Sequence, residues 1–104
     1  MSARTSDDDV AELAALAAEI VGYVDGWPEE QFLRDRSKQR ALERTMELLG
    51  EVATRLGDEV PDVDVDWRAL RALRVRLAHA YQDLSPSRLW VYASVDVRRL
   101  RDSL

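Results

Sequence analysis

Apolar residues recur every three or four positions along most of this chain, a pattern that helices satisfy and half-buried strands do not. The first line runs through Val10, Leu13, Ala14, Ala17, Ile20, Val21 and Val24. Asp7, Asp8 and Asp9 precede it and suit the positive end of a helix. Gly26 interrupts, and Trp27-Pro28-Glu29-Glu30 reads as a restart with proline in the first turn of a short helix carrying Phe32 and Leu33. Asp35 or Ser37 caps a longer third helix, whose stripe is Leu42, Thr45, Met46, Leu49, Val52, Ala53 and Leu56 and whose end is Gly57. A polar connection over 58–66 leads to a fourth helix from about Trp67 to Leu84, with Trp67, Leu70, Leu73, Leu77, Tyr81 and Leu84 on its apolar side. Ser85-Pro86 opens a fifth, buried along Leu89, Ala93, Val97, Leu100 and Leu104. No internal repeat or low-complexity linker intervenes. The expected fold is all-α, an antiparallel bundle of four to five helices formed by residues 1–104 as a single domain.

Several function classes fall away on composition. The chain has no cysteine, so disulfides, thiolate metal sites and a cysteine nucleophile are excluded. Its four glycines are dispersed and form no phosphate-cradling loop. Glu29 and Glu30 have no histidine nearby and no metal-ligand spacing, so neither metal nor cofactor is expected. No apolar run approaches ~18 residues, and Met1 to Asp9 lacks the layout of a signal peptide. A soluble, cytoplasmic protein with no membrane partner is the expectation.

The net charge of −5 hides a division along the chain. Met1 to Asp66 carries 7 basic and 17 acidic residues, whereas Trp67 to Leu104 carries 8 basic and 3 acidic ones. All eight cations of that last third are arginines. They can solvate outer helix faces or pair with the acidic portion, or they can form a local surface that attracts nucleic acid against the overall charge.

The segment Arg74-Val75-Arg76-Leu77-Ala78-His79-Ala80-Tyr81 concentrates the chemistry. His79 is the only histidine, the side chain whose unperturbed pKa lies near neutrality and which can therefore give and take protons there. A guanidinium such as that of Arg74 can hold a phosphate through several donors. A lone histidine on a helix serves structure more often than catalysis, and a tyrosine often fills a core edge with its hydroxyl in water. Geometry adds a constraint. Residues five apart lie ~140° around a helix and ~7.5 Å along it. Arg74 and His79 therefore meet only if the arginine curls round, the helix is distorted, or a second subunit completes the site.

These residues resemble the HepT toxins of the HEPN superfamily. Phe32-Leu33-Arg34-Asp35 with Arg40-Ala41-Leu42-Glu43-Arg44 is similar to the family's lead into its long central helix. Leu48-Leu49-Gly50-Glu51-Val52 is similar to its glycine–glutamate step, Val65-Asp66-Trp67 precedes Leu73-Arg74, and Leu89-Trp90 resembles the opening of its last helix. Arg74 to His79 fits the motif of an arginine, a four-residue gap and a histidine, with Tyr81 two positions on. The resemblance implies a HEPN-like, dimeric bundle and a metal-independent endoribonuclease toxin, with Arg74 and His79 as catalytic residues in a cleft between subunits. It implies a cognate nucleotidyltransferase of the MNT type as antitoxin, assembling into a possible higher hetero-oligomer and adenylylating Tyr81. Arg71 and Arg76 are further candidates for holding the RNA backbone. One position departs from the superfamily: the residue after the motif arginine is commonly polar, often asparagine, and here is Val75. That departure keeps a second reading open, a catalytically inactive helical module that assists a partner nucleotidyltransferase.

Overall fold

A computed structural model of the chain describes residues 5–79 and 84–104, with His79 described by its backbone alone. Tyr81, the His79 side chain and residues 80–83 of the expected fourth helix lie outside the described residues. The remainder is an all-α bundle without strands among the described residues.

Helix α1 (Ser6–Val24) begins at a reciprocal cap, in which the Thr5 hydroxyl accepts from the Asp8 backbone N–H and the Asp8 carboxylate accepts from that of Thr5. Gly26, at φ +76°, turns the chain out of it. The short α2 (Glu29–Phe32) starts one residue later than the spacing predicts: Pro28 is its N-cap, outside the first turn. Helix α3 (Arg36–Leu56) is capped by Asp35, whose carboxylate accepts from the Lys38 N–H at 3.0 Å, which decides between the two sequence candidates. Gly57 ends it at φ +57° and leads into a 3₁₀ turn. Along the following connection Val60, Val63 and Val65 lean on the core while the intervening carboxylates face water.

Helix α4 (Trp67–His79) is capped by Asp66, which accepts from the Ala69 N–H at 3.0 Å. Leu84 is buried but lies at a bend, outside any helix. The last helix begins at a Ser85 cap as α5 (Pro86–Val91), widens into a π-helical stretch (Tyr92–Val97) and finishes as α6 (Arg98–Ser103). Its buried line holds Leu89, Ala93, Val97 and Leu100, whereas Leu104, at the frayed end, is exposed. Steps of four residues drift ~40° around an ideal α-helix, and the wider π turn brings Ala93 and Val97 back under the same cover.

Helix α3 is the central rod, packed most extensively on α4 and α1, and the last helix closes over α1. Arg55 near the end of α3 binds Asp9 near the start of α1 at 3.1 Å, so those helices run antiparallel. Leu13, Ile20, Phe32, Leu42, Met46, Leu49, Leu73, Leu89 and Leu100 are fully buried between the rods, each such side chain contributing about 1.5–3 kcal/mol relative to exposure. The Phe32 and Trp90 rings meet at 5.4 Å, tying α2 to the last helix. No helix among the described residues is long and apolar enough to cross a membrane.

Candidate functional site

The position of α4 on α3 is set by what is missing at residue 50. A Cβ built on Gly50 would fall 2.8 Å from the Leu70 carbonyl oxygen and 2.9 Å from the Arg74 nitrogen. Only glycine allows α4 to approach so closely, and the contact lies at the backbone of the motif arginine itself. The glycine–glutamate step therefore has a mechanical meaning: Gly50 seats the stretch of helix from which Arg74 projects. Its neighbour Glu51 is exposed and contributes to holding Arg55 protonated above its usual range, an effect that comes first from the Arg55–Asp9 hydrogen bond.

Arg71 fixes the same two helices along their axes. Its Nε donates to the Ala53 carbonyl at 3.2 Å and its NH2 donates to the Gly57 carbonyl. The Ala53 carbonyl already accepts from the Gly57 N–H, so Arg71 adds a second donor there and also caps the Gly57 carbonyl, and a cation suits that negative end. Arg71 is half-buried in this role, so its guanidinium is occupied by the fold. The sequence offered a hint in the distance from Gly57, but not which arginine would reach back.

Arg74 is exposed and has no hydrogen-bond or ion-pair partner among the described residues. Arg76 is half-buried on the flank of α4 that also carries Ala69. Opposite the buried line of Leu70, Leu73 and Leu77, the helix presents Arg68, Ala72 and Val75 to solvent, Val75 at 52% exposure. Helical spacing puts the His79 position on this outer face as well. Because α4 is α-helical through to His79, no distortion between the two motif residues brings them together. Arg74 and His79 of one copy stay ~140° apart. A small cleft of about 80 Å³ lies between the start of α4 and the π stretch, lined by Asp66, Tyr92, Asp96 and Arg99 among others, and Arg74 does not border it.

The sequence is similar to those of known proteins over most of its length. The model of the HepT-like family, described as ribonuclease HepT-like, matches residues 13–104. A protein named "Probable ribonuclease HepT" from Thermococcus cleftensis is 27% identical over 96 residues, covering 90% of this chain and 84% of that protein. A second relative, from Methanocaldococcus jannaschii, carries an RNase name of the same provisional kind and is 26% identical over 74 residues, covering 69% of this chain and 61% of its own. No solved structure matches at comparable significance. With a family model that matches residues 13–104, most of its length, the chain belongs to the ribonuclease HepT-like family.

Proposed function

We propose that this protein is a metal-independent endoribonuclease that acts as a homodimer and serves as the toxin of a pair whose antitoxin is a nucleotidyltransferase. The observation that carries the reading is the family match over residues 13–104. The geometry supports it through Arg74, an unpartnered guanidinium among the described residues, whose backbone is seated against Gly50 of α3.

In this reading His79 takes the proton from a ribose 2′-hydroxyl, the 2′-oxygen attacks the adjacent phosphorus, and the bond to the 5′-oxygen breaks. A second histidine, from the other copy, protonates the departing oxygen. Arg74 binds the scissile phosphate and stabilises the charge that builds on its non-bridging oxygens. The products are a 2′,3′-cyclic phosphate and a 5′-hydroxyl. Arg76 is a candidate for the RNA backbone, whereas Arg71 is already engaged with α3. Tyr81 is the site of control: its phenolic oxygen attacks the α-phosphorus of ATP on the antitoxin, pyrophosphate leaves, and the attached AMP brings negative charge and bulk to the cleft.

A regular α4 leaves two of the three routes that the spacing allows, an arginine that curls round or a second copy, and the proposed homodimer takes the second. The outer face with Ala72 and Val75 is the proposed contact. Val75→Glu is expected to leave the helical content unchanged, because the side chain is exposed, and to shift the protein from dimer to monomer in light scattering. A dimer that survives the charge would remove α4 from the interface.

The test of the activity is cleavage of total RNA by purified protein in EDTA, with analysis of the ends. Fragments with cyclic phosphate ends are expected. Val75, where the superfamily commonly has a polar residue, favours one alternative, a helical module that assists the nucleotidyltransferase without cutting. Intact RNA from protein with an unmodified Tyr81, together with altered activity of the added partner, would decide for that module.

A further inference from the structure

Helix α3 opens with Arg36, Lys38 and Arg40 and has no acidic residue in its first turn, where α1 has Asp7, Asp8 and Asp9 and α2 has Glu29 and Glu30. Cations at this end oppose the helix dipole, so folding alone gives no reason for them. Lys38 has a local use, with its ammonium 3.0 Å from the centroid of the Trp27 ring. Arg36 and Arg40 have none. Both are exposed, and neither makes an ion pair or side-chain hydrogen bond among the described residues. One helical turn apart, ~6 Å along the axis, they line a cleft of about 410 Å³ whose opposite wall is Leu84, Ser85 and Pro86. Gln39, held by its bond to the Phe32 carbonyl at 2.9 Å, and Glu43 also line it.

That wall follows His79 by only five to seven residues in the chain. Helix α4 runs antiparallel to α3, with Arg71 at Ala53 and Gly57 and Arg74 at Gly50, so the motif end of α4 heads toward the start of α3, where the cleft lies. We infer that the Arg36–Arg40 cleft is a channel for the phosphodiester backbone of the single-stranded RNA flanking the scissile phosphate. The inference rests on the ribonuclease reading above and adds to it a second place where the substrate is held. Two guanidiniums one turn apart can each take a phosphate of an extended strand without reading bases. Their mutual repulsion and their conflict with the helix dipole are both relieved by a polyanion. Glu43, the lining carboxylate, accepts from ribose hydroxyls and marks the limit of the phosphate track.

The test measures binding of a labelled single-stranded oligoribonucleotide to His79→Ala protein, in which turnover is stopped, across a salt series. Adding Arg36→Ala and Arg40→Ala together is expected to lower the log–log salt slope by ~1.4, or ~0.7 for each phosphate no longer neutralised, and to weaken binding roughly tenfold. The Arg36→Lys, Arg40→Lys pair keeps the slope, since charge and not fork geometry sets it. Arg101→Ala, at a residue paired with Asp102 in α6, leaves slope and affinity alone. A double alanine variant that binds as its parent does, with wild type still cutting RNA in EDTA, overturns the channel and leaves the ribonuclease reading standing. Loss of slope in the lysine pair also overturns it. Absence of both binding and cleavage in the parent and wild-type proteins removes the ribonuclease reading and the channel with it.

Discussion

Replacing His79 with alanine is expected to lower RNA cleavage at least ~100-fold, because a positioned general acid or base contributes ~10²–10⁴-fold. In the proposed dimer one substitution removes both histidines, so acid and base are lost together and the effect falls toward the upper part of that range. Arg74→Ala is expected to cost ~10²–10³-fold, the usual consequence of removing one donor to a developing oxyanion. Arg74→Lys should recover only part of that, since an ammonium keeps the charge and loses the planar fork. Arg74 is exposed and unpartnered among the described residues, so its replacement should change stability by no more than ~0.5 kcal/mol. Initial rates in EDTA on one labelled RNA, with melting curves beside them, make the comparison. His79→Ala cutting at the wild-type rate would remove the histidine from the chemistry, and an unaffected Arg74→Ala would do the same for the arginine.

The largest expected loss of stability lies at Gly50. In an open helix, glycine to alanine would gain up to ~1 kcal/mol from propensity. Here the added methyl meets two backbone atoms of α4 at 2.8 and 2.9 Å and the Arg74 Cβ at 3.3 Å. No rotamer change relieves a backbone contact, so α4 must retreat and loosen the burial of Leu70, Leu73 and Leu77. Overpacking of this kind costs ~1–3 kcal/mol. Gly50→Ala should therefore lose ~1–2 kcal/mol net and Gly50→Val more, which for a chain of this size lowers Tm by ~4–8 °C per kcal/mol. Activity should fall further than the folded fraction, because the retreat occurs at Arg74 and a ~1 Å misplacement can cost ~10²-fold. Assays at a temperature where the variant is fully folded separate the two effects. A Gly50→Ala protein as stable and as active as wild type would show that the close approach is not required.

Most of the fold is legible in the chain because its longer helices are individually amphipathic and α1, α3, α4 and α5 begin at side-chain caps. The stripe from Leu42 to Leu56 and the stops at Gly26 and Gly57 appear where the spacing predicts them. The choice between Asp35 and Ser37 was open because both fit the pattern, and only the reach of a carboxylate to the Lys38 N–H decides it. Pro28 falls outside α2 by one residue, a shift that periodicity over a four-residue helix cannot resolve. The π stretch had a signal in the four-residue steps from Leu89 to Val97, but such steps also occur in ordinary helices. Of the site, Arg74 and His79 are visible as a motif, while the work of Arg71 is not, since it depends on how α4 docks on the end of α3. Arg36 and Arg40 stand out only when the sign of the helix dipole is set against their charge.

The π-helical stretch has a consequence for chain length. An i→i+5 turn accommodates one more residue than the α-helical turn it replaces, so the surplus is absorbed locally. Leu89 before the stretch and Leu100 after it remain fully buried on either side. Loss of a single residue between Tyr92 and Val97 can therefore be taken up by converting the wide turn to an ordinary one, without moving either anchor. The stretch is thus a joint at which the chain can shorten by one residue while the core on either side keeps its register.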